Sequence, residues 1–233
     1  MFARLRHKMI SDWPKRFRQK HMILVMALIV GFCSGLVAVL LKNGVYGIQR
    51  LLTSGLAEDQ YNFLYVAFPL VGLLITLFII RKVLKREMGP GIPSVLYAIS
   101  RRKSTLKRKD MFSSIVTSIF TVGFGGSAGL EAPTVQASAA IGSNIGAGFK
   151  LDYKTKTLLI ACAAAGSLAS IFKAPVAAII FAVEVIMIDL TTASLVPLLL
   201  ASISALLTAN WFLGEDTLLR FHLRDAFEIS TIP

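Results

Sequence analysis

The sequence contains few of the residues from which metal and redox sites are built. There are two cysteines and three histidines among 233 residues. Cys33 and Cys162 both lie inside apolar segments without metal or redox spacing, so each is expected to be a small buried hydrophobe. We therefore predict no metal site, no cofactor and no catalytic residue of the metal or thiol type.

Charged residues are also scarce, which argues against water as the main solvent. They make up 16% of the chain, whereas soluble domains contain about 25%. Hydrophobic residues make up 55%, and the mean hydropathy is +0.68. The remaining charge is unbalanced, with a formal net charge of +12. A basic balance of this size indicates nucleic acid, an anionic membrane surface or an anionic substrate.

The positions of the basic residues decide among these partners. Seven of the 25 Lys and Arg residues lie in residues 1–20, and ten lie in residues 81–109. Both stretches flank apolar segments, as the positive-inside rule predicts for cytoplasmic ends. No nucleic-acid module accompanies them. We therefore expect a multi-pass protein of the cell (inner) membrane whose surroundings are the lipid bilayer, and no nucleic-acid partner.

The chain divides at residue 20. Residues 1–20 are predicted to form a cytoplasmic amphipathic basic helix in the headgroup region, because apolar residues recur at helical spacing between basic ones. A frayed basic terminus is the alternative. Residues 21–215 are predicted to be the transmembrane domain, beginning with an uncleaved first span at 22–41. Further apolar segments follow at 63–80, 111–124, 133–149, 157–171, 175–188 and 195–213, with a short one at 94–99.

Several of these segments are short or are interrupted by glycine and proline. Residues 123–129 contain four glycines, too many for a steady helix. Pro133 fits the first turn of a helix, so a helix start is predicted within residues 130–133, after broken backbone. Discontinuous helices of this kind meet near the midplane of transporters, and their N–H groups favour anions.

Glu131 is the ionisable residue at this predicted helix start. A charge at the bilayer centre costs about 2.5–3.5 kcal/mol on insertion scales, so such residues usually have a function. As a carboxylate it would occupy an anion site, and it would leave the site when protonated. The alternative is a helix-capping glutamate without a gating role. Pro90, between two glycines, is likewise either the start of an anion-binding half-helix or part of an ordinary turn.

Two other features have competing interpretations. Glu184 is either a group on a proton path or a buried carboxyl stabilised by nearby helix ends, and the residues alone favour the second. Residues 125–129 match the G-x-S-x-G pattern of a hydrolase nucleophile elbow, which requires a preceding strand and a downstream acid and histidine. The downstream histidine, His222, lies beyond the last span, so an intramembrane hydrolase is a minor alternative.

Three segments of the sequence resemble the CLC family of chloride channels and proton-coupled anion exchangers. Residues 89–93, Gly-Pro-Gly-Ile-Pro, resemble the family's G-S-G-I-P. Residues 129–133, Gly-Leu-Glu-Ala-Pro, resemble its G-(R/K)-E-G-P, and residues 174–184 resemble the small-residue segment that follows. The order and spacing also agree, over about residues 20–215.

The resemblance implies an all-α polytopic membrane protein with tilted, broken and re-entrant helices. The family is a homodimer in which each subunit has its own pore built from two inverted halves. This chain resembles the first inverted repeat of such a CLC-type pore. Residues 216–233 would be a connector toward a missing second half, and a complete pore would need that half.

The resemblance also assigns roles to residues. Glu131 is implied to be the gate, and Glu184 and Val185 are the proton-path positions. The implied anion-binding residues are Gly89, Pro90, Gly91, Ile92, Gly129, Leu130, Glu131 and Ala132.

Departures from the family pattern bear on the transported ion and on coupling. Pro90 replaces the usual serine, a change that accompanies nitrate preference in some family members, so the transported ligand is expected to be chloride or nitrate. Ala132 replaces glycine and Leu130 replaces a basic residue, and both changes alter access to the gate. Val185 stands where many exchangers have a second glutamate.

The sequence thus predicts transport of small inorganic anions through a pathway gated by Glu131, and Val185 favours channel-like conduction. A proton-coupled exchanger of the same family is the first alternative. A membrane scaffold subunit without a pathway of its own is the second. None of these three functions is enzymatic.

Overall fold

The computed structural model describes the backbone of residues 2–54, 64–84, 91–186 and 191–214. Within these ranges the side chains of residues 2–20, 64–66, 83 and 192 are not described. The described part of the chain is all-helical, as predicted. Its helices are α1 (Phe2–Thr53), α2 (Leu64–Phe78), α3 (Ile92–Arg101), α4 (Asp110–Gly123), α5 (Glu131–Gly148), α6 (Tyr153–Phe172), α7 (Pro175–Ile186) and α8 (Thr192–Leu213).

The helix α6 forms the centre of the fold. Residues 159–171 are all buried, and they are mainly alanine, glycine and serine with a few larger apolar side chains. Helices α1, α5, α7 and α8 all pack against α6. Small residues at this density allow four helices to approach one central helix closely.

The longest helix, α1, packs along α8 through two glycines. A Cβ on Gly31 would collide with the carbonyl oxygen of Ala201, and a Cβ on Gly35 would lie 2.7 Å from the carbonyl oxygen of Ala205. Small residues at this four-residue spacing let two helices approach closely. Gly142 of α5 does the same against α6, because a Cβ on it would lie 2.6 Å from the carbonyl oxygen of Leu159.

The first span continues as helix at both of its ends. The backbone of residues 2–20 continues α1 without interruption, whereas the amphipathic stripe predicted there involves side chains outside the described set. At the other end the helix runs on past the apolar span 22–41 to Thr53. Lys42, the first residue after that span, lies buried.

The second predicted span, 63–80, is split into two kinds of helix. The α-helix Leu64–Phe78 contains Pro69 and is followed by a π-helical segment, Ile79–Leu84, which carries Arg81 and Lys82. The first basic residues after the span therefore still belong to a helix. The predicted connector, 216–233, lies outside the described residues.

Three of the described helices are long and apolar enough to cross a bilayer. They are His21–Thr53, Tyr153–Phe172 and Ala193–Leu213, and shorter apolar helices cover Asp110–Gly123 and Pro175–Ile186. Many large apolar side chains are exposed on the outside of the bundle, with Trp211 86% and Leu51 76% accessible. Exposed apolar surface on this scale is typical of a protein surrounded by lipid.

Candidate functional site

The chain leaves helical conformation between α4 and α5, as the glycine-rich segment predicts. After Gly123, residues 124–130 form a turn, irregular backbone and a bend, in which Gly125 has a φ of +87°. The helix α5 then begins at Glu131. The helix start predicted within residues 130–133 is therefore confirmed, and Pro133 lies in its first turn.

The Glu131 side chain turns back toward the broken backbone. A Cβ on Gly129 would collide with Oε2 of Glu131, so the carboxylate lies beside Gly129 at the N-terminal end of α5. Residue 131 is partly buried. The first N–H groups of a helix lack intrahelical acceptors and carry partial positive charge, which favours an anion at this end. The carboxylate thus lies where an anion would be attracted.

The helix α3 has a comparable start. Gly91 precedes the helix with a φ of +55°, a conformation that L residues rarely adopt, and Ile92 and Pro93 form the first turn. The helix is longer than the predicted segment 94–99. Its buried residues include Val95, and it packs against α5. The other two residues of the predicted anion segment, Gly89 and Pro90, lie outside the described residues.

These two helix starts meet. A Cβ on Gly91 would lie 3.1 Å from the Cβ of Ala132, so the backbone of Gly91 lies directly against the first turn of α5. The N–H groups of Gly91 and Ile92 on one side, and of Leu130 to Ala132 on the other, belong to first turns without intrahelical acceptors. Pro133 has no N–H, and Thr134 donates its own to the Leu130 carbonyl at 3.2 Å.

A hydrogen-bond network lies behind the two helix starts. Gln136 Nε2 donates to Ser94 Oγ at 3.1 Å, and Ser94 Oγ donates to the Gly91 carbonyl at 2.7 Å. On the other side Ser114 Oγ donates to Gln136 Oε1 and contacts the Pro133 carbonyl, both at 3.2 Å. The network connects α3, α4 and α5 through buried polar groups. Sequence reasoning did not identify it, although a glutamine in a segment of small apolar residues was a visible signal.

The two positions that the family resemblance assigns to a proton path, Glu184 and Val185, lie on a different helix. The helix α7 starts at Pro175 after Lys173, which has a left-handed conformation, and it packs on α6 and α8. Glu184 is exposed, and Val185 is partly buried. The favoured interpretation of Glu184 as a buried carboxyl is therefore wrong for the chain alone, in which its side chain is exposed.

The hydrolase alternative finds no support in the described residues. The segment 125–129 follows the helix α4, and the described part of the chain contains no strand, so Ser127 does not lie on a nucleophile elbow. No group of three or more His, Cys, Asp or Glu residues within the described ranges could hold a metal ion.

Comparison with known proteins gives the same family throughout. A family model described as voltage gated chloride channel matches residues 71–233. Curated relatives named H(+)/Cl(-) exchange transporter ClcA, from several strains of Vibrio cholerae, are 25% identical over 240 residues. The alignment covers 100% of this chain and 51% of each relative. The chain therefore spans about half the length of the curated relatives it matches.

Solved structures agree on the fold. A slow cyanobacterial Cl⁻/H⁺ antiporter matches with a TM-score of 0.69 and 24% identity, over 84% of this chain and 48% of that protein. A CLC-type fluoride/proton antiporter matches with a TM-score of 0.68 and 25% identity, over 90% of this chain and 51% of that protein. The all-α fold of tilted and broken helices predicted from the sequence is thus confirmed.

Proposed function

Because this chain belongs to the CLC family of voltage-gated chloride channels and corresponds to the N-terminal half of its members, we propose that it forms the first half of a proton-coupled anion exchanger. One observation carries the proposal. The starts of α3 and α5 meet at Gly91 and Ala132, and the carboxylate of Glu131 lies at the same end of α5. Two sets of helix N–H groups can attract an anion, and a carboxylate beside them can take up a proton.

In the proposed cycle Glu131 and the anion compete for the same N–H groups. When charged, the carboxylate occupies the N-terminal end of α5 and excludes the anion. When it takes up a proton it no longer competes, and an anion binds between the helix starts. Gly89 and Pro90 are proposed to complete the binding segment with Gly91 and Ile92. Because Gly129 has no side chain, it leaves room for the Glu131 carboxylate. The backbone N–H of Leu130 supplies a further donor.

Proton coupling is favoured over channel-like conduction. The residue pattern at Val185 favours a channel, but the matched relatives are named as H⁺/Cl⁻ exchange transporters or as anion/proton antiporters. We propose that protons reach Glu131 through Glu184, the acidic member of the two proton-path positions. Chloride is the proposed anion, with nitrate as the competitor that Pro90 suggests.

The proposed exchanger also needs a second half of the pore and a partner subunit. The chain spans about half of each relative, so a second half with the remaining pore residues would complete the pathway. The complete protein is proposed to be a homodimer in the inner cell membrane. Exposed apolar side chains on α2 and α8 would contact lipid, the second half or the partner subunit.

The test is ion flux from the complete protein in liposomes. If exchange is coupled, a proton gradient across the membrane shifts the reversal potential. The shift is measured first with chloride and then with nitrate as the anion. Glu131→Gln removes the titratable carboxyl, so anion flux should continue while its pH dependence and the shift disappear. Asp152→Asn makes the same chemical change at the exposed start of α6 and should leave both in place.

Three outcomes would contradict the proposal. If Glu131→Gln retained pH-dependent flux, Glu131 would not be the gate. If the wild-type reversal potential did not move with pH, conduction would be channel-like. A complete protein without any anion flux would favour the scaffold alternative.

A further inference from the structure

The buried amide of Gln136 lies one turn beyond the proposed gate. It is 5% exposed and lies among the small apolar residues of α5, between Val135 and Ala137. A primary amide has two donor hydrogens and an acceptor oxygen, and burying it without partners is costly. The hydrogen-bond partners of the Gln136 amide therefore indicate which parts of the structure it holds together.

Those partners lie on two other helices. The amide nitrogen donates to Ser94 on α3, and the amide oxygen accepts from Ser114 on α4. Gln136 is thus a bridge across the three helices. Its bond to Ser94 joins the start of α3 to α5.

The direction of these hydrogen bonds is set by Ser94. Its hydroxyl hydrogen goes to the Gly91 carbonyl at 2.7 Å, so its oxygen is left to accept from Gln136. The amide oxygen must then face Ser114, which also contacts the Pro133 carbonyl. The network therefore ends at the carbonyls of Gly91 and Pro133. These carbonyls lie in the same two turns whose N–H groups lack intrahelical acceptors.

We propose that Gln136 is a positioning residue for the anion site, holding the start of α3 against the start of α5. The inference rests on the proposed function and concerns that same site. The contact between Gly91 and Ala132 keeps the two helix starts from coming closer, and the Gln136 network keeps them from separating. Binding sites need their groups held within about 0.5 Å, so a small separation weakens the site.

The test measures anion KM in the complete protein, reconstituted in liposomes. Gln136→Met keeps the length of the side chain and removes both hydrogen bonds. The bond to Ser94 is the one that joins α3 to α5, and loss of a bond worth about 0.5–1.5 kcal/mol corresponds to about a 2- to 12-fold change, so the anion KM should rise by at least that order. The pH profile set by Glu131 should stay in place, because the network does not touch that carboxylate. Gln49→Met, the same change on α1, is the control.

A second variant makes the assignment specific. Ser94→Ala removes the other half of the same hydrogen bond and should raise KM by a similar factor. Because the two residues share one bond, the double variant should raise KM by clearly less than the product of the single effects. If Gln136→Met failed to fold, Ser94→Ala measured against wild type would decide the question.

The outcomes separate this inference from the proposed function. A wild-type protein without anion flux would overturn the proposed function. Normal wild-type flux, with KM in Gln136→Met and Ser94→Ala equal to that of Gln49→Met, would overturn the positioning role alone. Reduced thermal stability with unchanged KM would also overturn it, because Gln136 would then be purely structural.

Discussion

The carboxylate of Glu131 occupies the space beside Gly129 that any larger residue at position 129 would need. A Cβ built on Gly129 meets Oε2 and then the carboxyl carbon of Glu131 at 3.2 Å. The atom in the way is the far end of a flexible side chain, so it can move without disturbing the backbone. Gly129 therefore controls where the carboxylate of the proposed gate rests, and a residue larger than glycine there should cost little in folding.

Gly129→Ala should displace the gate and leave the fold intact. The added methyl group would push the Glu131 carboxylate away from the helix start, so anion flux should rise, above all at high pH where the carboxylate is charged. Liposome flux as a function of pH measures this. Gly148→Ala, where an added Cβ meets nothing within 4 Å, is the control. Unchanged flux at high pH in Gly129→Ala would contradict the arrangement.

Gly91→Ala should damage both the fold and the anion site. At a φ of +55° a side chain is strained by about 1–3 kcal/mol, and its Cβ would press on Ala132. The variant should have a lower midpoint of thermal unfolding in detergent and a higher anion KM. Gly148→Ala serves again as the control for both measurements. Wild-type KM in Gly91→Ala would argue against an anion site at this contact.

Two serines of α5 should respond in opposite ways to the same change. Ser143 Oγ donates to the Ser104 carbonyl and accepts from Leu106 N–H, and so anchors the basic loop 102–109. Ser143→Ala leaves both groups buried without a partner and should cost about 1–3 kcal/mol. Ser138 Oγ is buried and has no partner within the described residues, so Ser138→Ala should be neutral or stabilising.

Thermal unfolding in detergent compares the two serine variants. Hydrogen exchange at the Leu106 amide should accelerate in Ser143→Ala alone, because that N–H loses its acceptor. Equal melting temperatures would show that the loop does not depend on this anchor.

Glu184→Gln tests the proposed proton path. The change should lower proton flux relative to anion flux while leaving anion KM at the wild-type value, because Glu184 lies on α7 and outside the two helix starts. Parallel measurements of proton and chloride flux in liposomes give the ratio. An unchanged ratio of proton flux to anion flux would contradict the proposed path, because protons would then reach Glu131 without passing through Glu184 on α7.

The local features of the site could be predicted from the sequence because they depend on short-range rules. Broken backbone before Glu131 follows from the glycines of residues 123–129, and the helix start follows from Pro133. Close packing at Gly31 and Gly35 follows from their spacing. Each of these needs only a few neighbouring residues.

Features that depend on distant residues could not be predicted. The partners of Gln136 are 42 and 22 residues away along the chain, on α3 and α4. Glu184 was expected to be buried because its sequence neighbours are apolar, but the orientation of α7 leaves it exposed. Periodicity within one segment does not reveal which neighbouring helix, if any, covers a given face.

Pro93 and Pro133 reduce the number of N–H donors at the proposed anion site. Each removes one N–H from the first turn of its helix, and neither residues 91–94 nor residues 130–134 contain a lysine, arginine or histidine. These two turns can therefore offer an ion only neutral amide dipoles. Conduction requires sites weak enough to release the transported ion. We therefore expect a short residence of the ion at the proposed site, which favours rapid turnover over tight capture.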